Sequence, residues 1–356
     1  MQSATLPLQL LLLFRKYREG TGNLQQEKQP QKSHYALTPV DSEILEYVRQ
    51  YYFLTAWQLV NLHYSPGSLT RAQTKLQILS GMNKNKPAPP YLHRRGLYLL
   101  EFGNSTYLYF LGKKGIKYHQ ERGGSITPRH TRIDKLLRLE RSTLLHCLHV
   151  NDILIAGRNL LQYAPDIRLA SWQHDYDLET TPAYVEVDRV HSGGGSTQKK
   201  VKIIPDGLLD FRLQLAKAHK ERRRILLPEI DRGTETFIDD FKQKICAYVH
   251  FLAPGGEFEQ RCGKAEKRVP WIITKGGMNR VNTLRKWCED ELEEQGVEDA
   301  FDLFRFVLAE HVVKVDKKTG KEKITDELDI DPYDFFLTAS AYKPFADELD
   351  TLLWKP

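Results

Sequence analysis

The sequence predicts a mixed α/β protein in which a small, mostly helical part precedes a larger part built on a central sheet. Three short amphipathic helical patterns, followed by two alternating strand patterns, occupy the first third of the chain. Beyond about residue 126, apolar strand patterns alternate with longer helical ones, which is typical of a sheet flanked by helices. With 356 residues, 41% of them hydrophobic, the chain is long enough for two packed domains.

Charge divides the chain in a similar way. The net charge is only +6, but residues 47–100 contain no Asp or Glu, whereas residues 289–350 are rich in both. Positive charge concentrated in one part of the chain is suited to binding a polyanion. The four cysteines form no Cys-x-x-Cys pair, which argues against a disulfide framework or a zinc site and favours a reducing cytoplasm. The apolar run 6–14 is too short to span a bilayer, so we expect no membrane or export role.

The N-terminal 37 residues are predicted to be an arm or linker, because residues 15–36 are rich in Gln, Lys, Glu and Gly. A first helix is predicted to start at Thr38-Pro39, since proline suits the first helical turn, and to end near Tyr52. Folding is therefore expected to begin at about residue 38.

Two further helices and a hairpin are predicted next. Thr55 is a typical cap for a short second helix, and a third helix follows the turn Ser65-Pro66-Gly67. Residues 92–100 and 105–111 alternate in polarity around a turn and predict two paired strands.

Three helices followed by a hairpin are the order of a winged helix-turn-helix, so residues 38–125 are predicted to be a DNA-binding domain. The absence of acidic residues favours this, since the third helix and the wing would lie against phosphates. Alternatively, the module docks on proteins and its basic residues form a solvated face. The residues expected to contact DNA are Arg71, Gln73, Lys75, Lys84, Lys86, Arg94 and Arg95.

Residues 126–356 are predicted to be a second domain with an acidic C-terminal extension. Apolar residues between 133 and 161 predict one long helix or two abutting helices. A helix is predicted to start near Thr234 or Thr236, and residues 301–313 should form a strand or helix that closes the core. Strands are predicted at 169–178, 201–204, 208–213, 225–227 and 271–274, with a hairpin tip at 192–196 and a basic turn at 217–224.

Two carboxylates stand where apolar strands end: Asp206 follows residues 201–204, and Glu229 follows residues 225–227. We expect these strands to be adjacent and the two side chains to be close. Hard oxygen ligands bind Mg²⁺, which can activate water and offset charge on a phosphodiester. Asp206 and Glu229 are therefore expected to hold Mg²⁺ or Mn²⁺; the alternative is an acidic cluster that is polar scaffolding.

The element order, Trp172-x-x-Asp175, Ile204-Pro205-Asp206-Gly207 and the heptad 229–235 resemble the PD-(D/E)XK nuclease superfamily and, more narrowly, the replication-relaxation family of plasmids and other mobile elements. The resemblance covers about residues 38–274. It implies a PD-(D/E)XK nuclease-like domain with a central mixed sheet flanked by helices. It also implies that the backbone carbonyl of Ile230 is a further metal ligand.

In that superfamily a catalytic lysine stands two residues beyond the glutamate, where this chain has Asp231. Lys244 is the leading substitute, because it shares one helix face with Tyr248, and Lys242 is the second candidate. Asp231 is expected either to join the catalytic group as a third metal ligand or to form a structural ion pair with Arg232 or another basic residue.

The histidines are expected to be structural rather than metal ligands. His146 and His149 lie three positions apart on one predicted helix, and His174 precedes Asp175. Asp152 and Asp175 are further candidates for the edge of the site, but each is expected to be structural. Transesterification by a tyrosine is not expected, because a His-hydrophobe-His strand beside a tyrosine is lacking.

The sequence thus predicts a DNA-binding protein of a plasmid or mobile element, a divalent-metal-dependent endonuclease that acts in replication, transfer or maintenance. The alternative is a non-catalytic replication or transcription factor that uses an inactive nuclease fold as a scaffold. DNA is the expected partner, and other replication or mobile-element proteins are further candidates. Cleavage of both strands would need two sites, which favours a homodimer.

Overall fold

The computed structural model describes residues 35–82, 90–98, 105–190, 196–215, 220–233, 237–315, 319–338 and 340–353. Most of the predicted N-terminal arm therefore lies outside the described residues. So do Lys84 and Lys86, two of the predicted DNA contacts, and residues 234–236, near which a helix start is predicted.

The first helices begin where their capping residues predict. Thr38 Oγ1 accepts from Asp41 N at 3.3 Å while the Asp41 carboxylate accepts from Thr38 N at 2.9 Å. Thr55 and Gln58 form the same reciprocal pair at 3.0 and 3.1 Å. The predicted hairpin follows, with antiparallel strands. The elements are α1 (Pro39–Tyr51), α2 (Ala56–His63), α3 (Leu69–Leu79), β1 (Leu92–Tyr98) and β2 (Ser105–Leu111).

The predicted helical stretch 133–161 consists of two abutting helices, which confirms one of the two alternatives. They are separated by Leu139 and Glu140, whose ψ angles of 140° and 153° are extended. The second helix is buried over most of its circumference, since it packs on α2 and on the central sheet. The helices in this part are α4 (Lys113–Gln120), α5 (Pro128–Thr131), α6 (Ile133–Arg138) and α7 (Arg141–Asn159).

The predicted strand 169–178 ends earlier than expected. Strand β3 spans Ile167–His174, and a single helical turn, α8 (Asp175–Leu178), follows it. The Asp177 carboxylate accepts from His174 N at 3.3 Å, which favours a helical start over a continued strand. Asp175 therefore lies on a helical turn and not on a strand.

The strand before Asp206 is not in the central sheet. Strands β4 (Ala183–Val190) and β5 (Ser196–Ile203) form the predicted hairpin, but in the described part of the chain they pair only with each other. One face of this hairpin buries Val185 and Val187 against helix α9 (Ile238–Leu252), and the other face is exposed. The expectation that Asp206 and Glu229 end adjacent strands of one sheet is therefore wrong.

The central sheet is mixed, as predicted, and has helices on both faces. After β3, its strands in chain order are β6 (Gly207–Leu215), β7 (Lys220–Leu226), β8 (Glu229–Asp231), β9 (Glu266–Ile273), β10 (Phe304–Leu308), β13 (Ala341–Tyr342) and β14 (Leu349–Asp350). Their order across the sheet is β14-β13-β10-β9-β7-β6-β3, with β8 paired to β9. Strand β6 is antiparallel to both β3 and β7, whereas β7, β9 and β10 are parallel.

The basic run predicted as a turn is largely part of β7. Arg223 contacts Asp210 on neighbouring β6 with Nε at 3.0 Å, and Arg224 pairs with Glu266 of β9. Ion pairs with both neighbouring strands compensate the charges of these arginines inside the sheet, so a run of basic residues does not by itself indicate a turn here.

The remaining described helices and strands are α10 (Glu257–Cys262), α11 (Gly277–Gln295), β11 (Glu310–Val315), β12 (Glu322–Asp329) and α12 (Pro332–Leu337). Helices α9 and α11 cover one face of the central sheet, and α7 and α12 cover the other. Residues 301–313 include the end of a 3-10 helix, β10 and part of β11. No helix among the described residues is long and apolar enough to cross a membrane.

Hydrophobic packing is continuous across the predicted domain boundary at residue 125. Leu59 of α2 and Leu76 of α3 belong to the same buried cluster as Ile153 of α7 and Leu209 of β6. The described residues from 35 onward belong to one compact unit. The boundary stays a prediction.

Candidate active site

Asp206 is held against the start of β8 by backbone contacts. It lies in the bend between β5 and β6, and its N–H donates to the carbonyl of Pro228 at 3.1 Å. Its Oδ2 accepts from the N–H of Ile230 at 2.7 Å. Because β6 and β7 are antiparallel neighbours, the first residues of β6 lie beside the last residues of β7. This geometry brings Asp206 to Glu229 without the two preceding strands being adjacent.

Glu229 is the first residue of β8 and is almost fully buried. The Lys244 ammonium donates to its Oε2 at 2.8 Å, and the Tyr248 hydroxyl donates to its Oε1. Lys244 and Tyr248 lie four positions apart on α9, so they share one helix face, as the sequence predicts. Lys244 is 36% exposed, which places its amine at the rim of the site.

The two carboxylates have opposite pKa shifts. Burial raises the pKa of Glu229 to about 7, and the charge of Asp206 adds to this although Lys244 opposes it. Burial also acts against ionised Asp206, but His146, Lys244 and the Ile230 N–H outweigh it and lower the pKa of Asp206. Two nearby carboxyl groups with separated pKa values are an arrangement often found at catalytic sites.

His146 completes the contacts of Asp206. It projects from α7, and its Nε2 lies 3.1 Å from Asp206 Oδ1. Burial disfavours the charged imidazole, but Asp206, Asp175 and Glu229 together raise its pKa. The sequence did not predict this contact with Asp206, and the structural role expected for the histidine stays a prediction. No local pattern distinguishes it from His149, because the contact arises from the packing of α7 on the sheet.

Asp231 is directed to a different partner. Its buried carboxylate accepts from Arg280 Nε at 2.7 Å and Nη2 at 3.2 Å, and from the Gly233 N–H at 3.1 Å. Of the two roles expected for Asp231, the structure thus contains the ion pair, with Arg280 of α11 as the base instead of Arg232. Arg232 instead donates to the carbonyl of Ser142.

Other acidic and imidazole candidates have internal partners. Asp152 is buried, accepts from Gln58 Nε2 at 2.7 Å and from Leu328 N at 3.2 Å. The ring of His149 contacts the Asp326 carbonyl at 2.9 Å, and burial lowers the pKa of His149 to about 3. Both residues therefore have partners inside the fold, and the structural role expected for them stays a prediction.

The oxygen atoms on the Asp206 side of β8 include one backbone group, the carbonyl of Ile230. The Asp231 carbonyl accepts from Thr274 N, so Asp231 directs its backbone groups toward β9. The backbone N–H and carbonyl groups of successive strand residues point to opposite sides. Ile230 therefore directs both its N–H and its carbonyl away from β9, on the side of Asp206. Within the described residues, no three His, Cys, Asp or Glu side chains are grouped as an ion-binding set.

The residues predicted to contact DNA differ in whether their side chains are exposed or already bound to other groups of the protein. Arg71 and Gln73 are exposed on α3. Lys75 is bound to the buried Asp41 at 2.7 Å, which neutralises its charge. Arg94 stacks on Tyr107 at 4.5 Å. Arg95, also on β1, donates to the carbonyl of Leu136 at 3.3 Å.

Comparison with known proteins identifies the family of the chain. The sequence profile of the family described as replication-relaxation matches residues 45–267, a segment that includes α2, α3, β1–β8 and α9. No curated protein is significantly similar to the chain, and no solved structure is either. Since the match covers more than half of the chain, this protein belongs to the replication-relaxation family.

Proposed function

We propose that this protein is a divalent-metal-dependent DNA endonuclease of a plasmid or mobile element. Its family associates it with replication of such elements. The observation that carries the proposal is the pairing of Asp206 with Glu229, whose charges are close enough to interact, together with the Lys244 amine on Glu229. Anionic side chains can hold a metal ion that activates water, and a cation beside the phosphate can offset its charge, so this combination suits phosphodiester hydrolysis.

The donor set suits Mg²⁺ or Mn²⁺. Magnesium in proteins is commonly held by one or two carboxylates, with waters and substrate phosphates completing its shell. Asp206, Glu229 and the carbonyl of Ile230 would hold the ion. Each carboxylate oxygen has two lone pairs, so the contacts to Lys244 and Tyr248 leave acceptor capacity on Glu229. The ion would supply an activated water and charge compensation on the phosphate.

The side chains of this site have separate roles in the proposed mechanism. Tyr248 and Lys244 fix the Glu229 carboxylate in one orientation from α9. His146 and the Ile230 N–H do the same for Asp206. The partly exposed ammonium of Lys244 is positioned to stabilise negative charge on a bound phosphate. Asp231 and Arg280 fix the end of β8 and have no chemical step.

The N-terminal helices are proposed to bring the site to DNA as a winged helix. Helix α3 presents Arg71 and Gln73 to solvent, and the β1–β2 hairpin follows as the wing. Arg94, stacked on Tyr107, adds positive charge on the wing. A homodimer would supply the second site required to cut both strands.

One observation favours a second function. Both oxygens of Glu229 are already hydrogen-bonded, which also suits a closed polar network in a scaffold without chemistry. The protein would then be a DNA-binding replication or transcription factor with an inactive nuclease fold.

Cleavage of supercoiled plasmid, linear duplex and branched DNA with Mg²⁺ or Mn²⁺ separates the two functions. We expect metal-dependent cutting by the natural protein and none by Glu229→Gln, at protein concentrations that give equal DNA binding. The scaffold function is correct if the natural protein binds every substrate and cuts none with either metal.

A further inference from the structure

A second cleft lies beside the α8 turn, with Asp177 in its lining. It has a volume of about 540 Å³, within the range of small-molecule sites. Helix α1, the segment before α5, α7, β3 and α8 all contribute to it. The lining residues relevant here are Arg49, Tyr52, Thr127, Arg158, Trp172 and Asp177.

The backbone at Tyr52 is strained where it lines this cleft. Its φ of 61° and ψ of −44° place a bulky residue in a conformation that side chains rarely adopt. Phe53 N donates to Tyr51 O at 2.6 Å, which closes a tight turn of the rare positive-φ kind. The side-chain amide of buried Asn151 donates to the carbonyls on both sides, Tyr51 O at 3.1 Å and Phe53 O at 2.5 Å.

This turn positions a polar group in the cleft. The Tyr52 hydroxyl donates to Asp177 Oδ1 at 2.6 Å, and the Tyr52 ring stacks on His130 at 4.4 Å. Strain of this kind persists only where surrounding contacts enforce it, and it is concentrated at ligand sites and switches. The strain therefore points to a built site and not to an incidental surface groove.

The walls offer an aromatic ring and a cation. Trp172 is partly exposed and is backed by Tyr51, at 4.5 Å between ring centroids and 21° between planes. The Arg158 guanidinium lies 4.9 Å from the Tyr47 ring centroid. No ion pair of Arg158 with a carboxylate is found among the described residues, whereas Arg49 is paired with Glu46. Arg158 is thus the cation available to an anionic ligand.

The cleft and the carboxylate site share one wall. Asp175 and Asp177 lie two positions apart on α8, which is about 200° around a helical turn, so they face opposite sides. Asp175 N donates to the Asp206 carbonyl at 3.1 Å and its charge acts on His146, whereas Asp177 lines the cleft. The α8 turn therefore contacts both places.

We propose that this cleft binds an unpaired nucleotide, with its base stacked on Trp172 and its phosphate at Arg158. A rigid aromatic platform beside an arginine is how proteins hold unstacked bases, and it favours no particular base. The ligand chemistry is that of a nucleoside phosphate, within a strand or free. Taking it from a DNA strand rests on the proposed function, and it makes single-stranded or branched DNA the preferred substrate.

Binding of labelled oligonucleotides by anisotropy, in EDTA so that no strand is cut, tests this. Arg158→Gln should weaken binding of a single strand about 10-fold while changing duplex binding less than about 2-fold. Arg168→Gln is the matched control, since Arg168 is an exposed arginine on β3 outside the cleft. Trp172→Phe, which keeps a ring on Tyr51, should give a smaller loss than Trp172→Ala, with melting temperature as the folding control.

The proposal is wrong if Arg158→Gln and Arg168→Gln weaken single-strand binding equally. It is also wrong if Arg158→Gln lowers the affinity for single-stranded DNA and for duplex DNA by the same factor. A labelled deoxynucleoside monophosphate distinguishes the two sources: Arg158-dependent binding of the monophosphate without Arg158-dependent binding of a strand assigns the cleft to free nucleotides. Because the readout is binding in EDTA, a natural protein that never cuts DNA contradicts the endonuclease proposal and leaves this one intact.

Discussion

The Nζ atom of Lys244 lies 2.8 Å from Oε2 of Glu229, so a helix supplies the ammonium that the strand position after Ile230 does not. The strand position is occupied by Asp231, which is paired with Arg280. Helix α9 starts after β8 and packs back over the sheet, and this return places its second turn above the first residue of β8.

Loss of this ammonium should abolish most of the proposed cleavage. Lys244→Ala removes the only side chain that supplies positive charge to Glu229 in the hydrogen bonds described above, and we expect a fall of about 100-fold in cleavage rate at saturating DNA. Lys242→Ala is the matched control, since Lys242 is on the same helix but binds Glu294 at 2.6 Å. Equal rates for the two variants would exclude Lys244 from catalysis.

Glu229 should make the protein less stable as the pH rises. Its folded pKa of about 7 lies above its ordinary value of 4.5, so between these values the folded chain holds a proton that the unfolded chain has released. The free energy of unfolding contributed by this group therefore falls from pH 4.5 to 7. In urea unfolding without metal, Glu229→Gln should gain stability relative to the natural protein across this range.

The effect of Glu229 has to be measured as the difference in free energy of unfolding between the natural protein and Glu229→Gln, because other groups titrate in the same pH range. His149, with a pKa lowered by burial to about 3, makes folding more favourable as the pH rises toward 6.5. If the difference in free energy of unfolding between the natural protein and Glu229→Gln is constant from pH 4.5 to 7, the pKa of Glu229 is not raised in the folded protein.

Metal binding should appear in stability as well as in activity. An ion held by Asp206 and Glu229 binds the folded chain only, so Mg²⁺ or Mn²⁺ should raise the melting temperature, by an amount that grows with the ion concentration. Asp206→Asn should lose this increase. Calorimetry at pH 7.5 with and without the ion is the measurement, and equal increases in both proteins would place the ion elsewhere.

The N-terminal elements were predictable because their signals are local. Thr38 and Thr55 each carry a partner three positions later that closes a capping box, and the helices begin there. The hairpin β1–β2 follows equally from alternation and turn residues. Boundaries in this part agree with the sequence to within a few residues.

The candidate site was only partly predictable, since its contacts join distant segments. Asp206 and Glu229 could be chosen from strand ends, but the reason for their proximity is the β6–β7 pairing and not adjacency of β5 and β7. His146 meets Asp206 through helix packing, which has no local signal. Arg280 follows Asp231 by forty-nine positions, so their ion pair could not be anticipated.

Asp231 is expected to matter for folding and not for chemistry. Its carboxylate is fully buried and Arg280 is mostly buried, so Asp231→Ala removes the carboxylate that compensates the charge of Arg280 and should lower the free energy of unfolding by about 3 kcal/mol. Arg280→Ala should cost a similar amount, and the double variant less than the sum. Chemical unfolding of the four proteins gives the coupling. Additive effects would show that the two side chains do not stabilise each other, whereas a cleavage defect in folded Asp231→Ala would return Asp231 to the catalytic group.

Arg71 and Lys75 lie four positions apart on α3, yet equal substitutions should act on different properties. Arg71 is exposed, so Arg71→Gln should weaken binding of duplex DNA and reduce the slope of log affinity against log salt by about 1. Lys75 is bound to buried Asp41, so Lys75→Gln should lower stability, by about 1–2 kcal/mol, with little effect on that slope. Anisotropy over a salt series and urea unfolding test both variants. A salt slope reduced equally in the two would mean that Lys75 leaves Asp41 to bind phosphate.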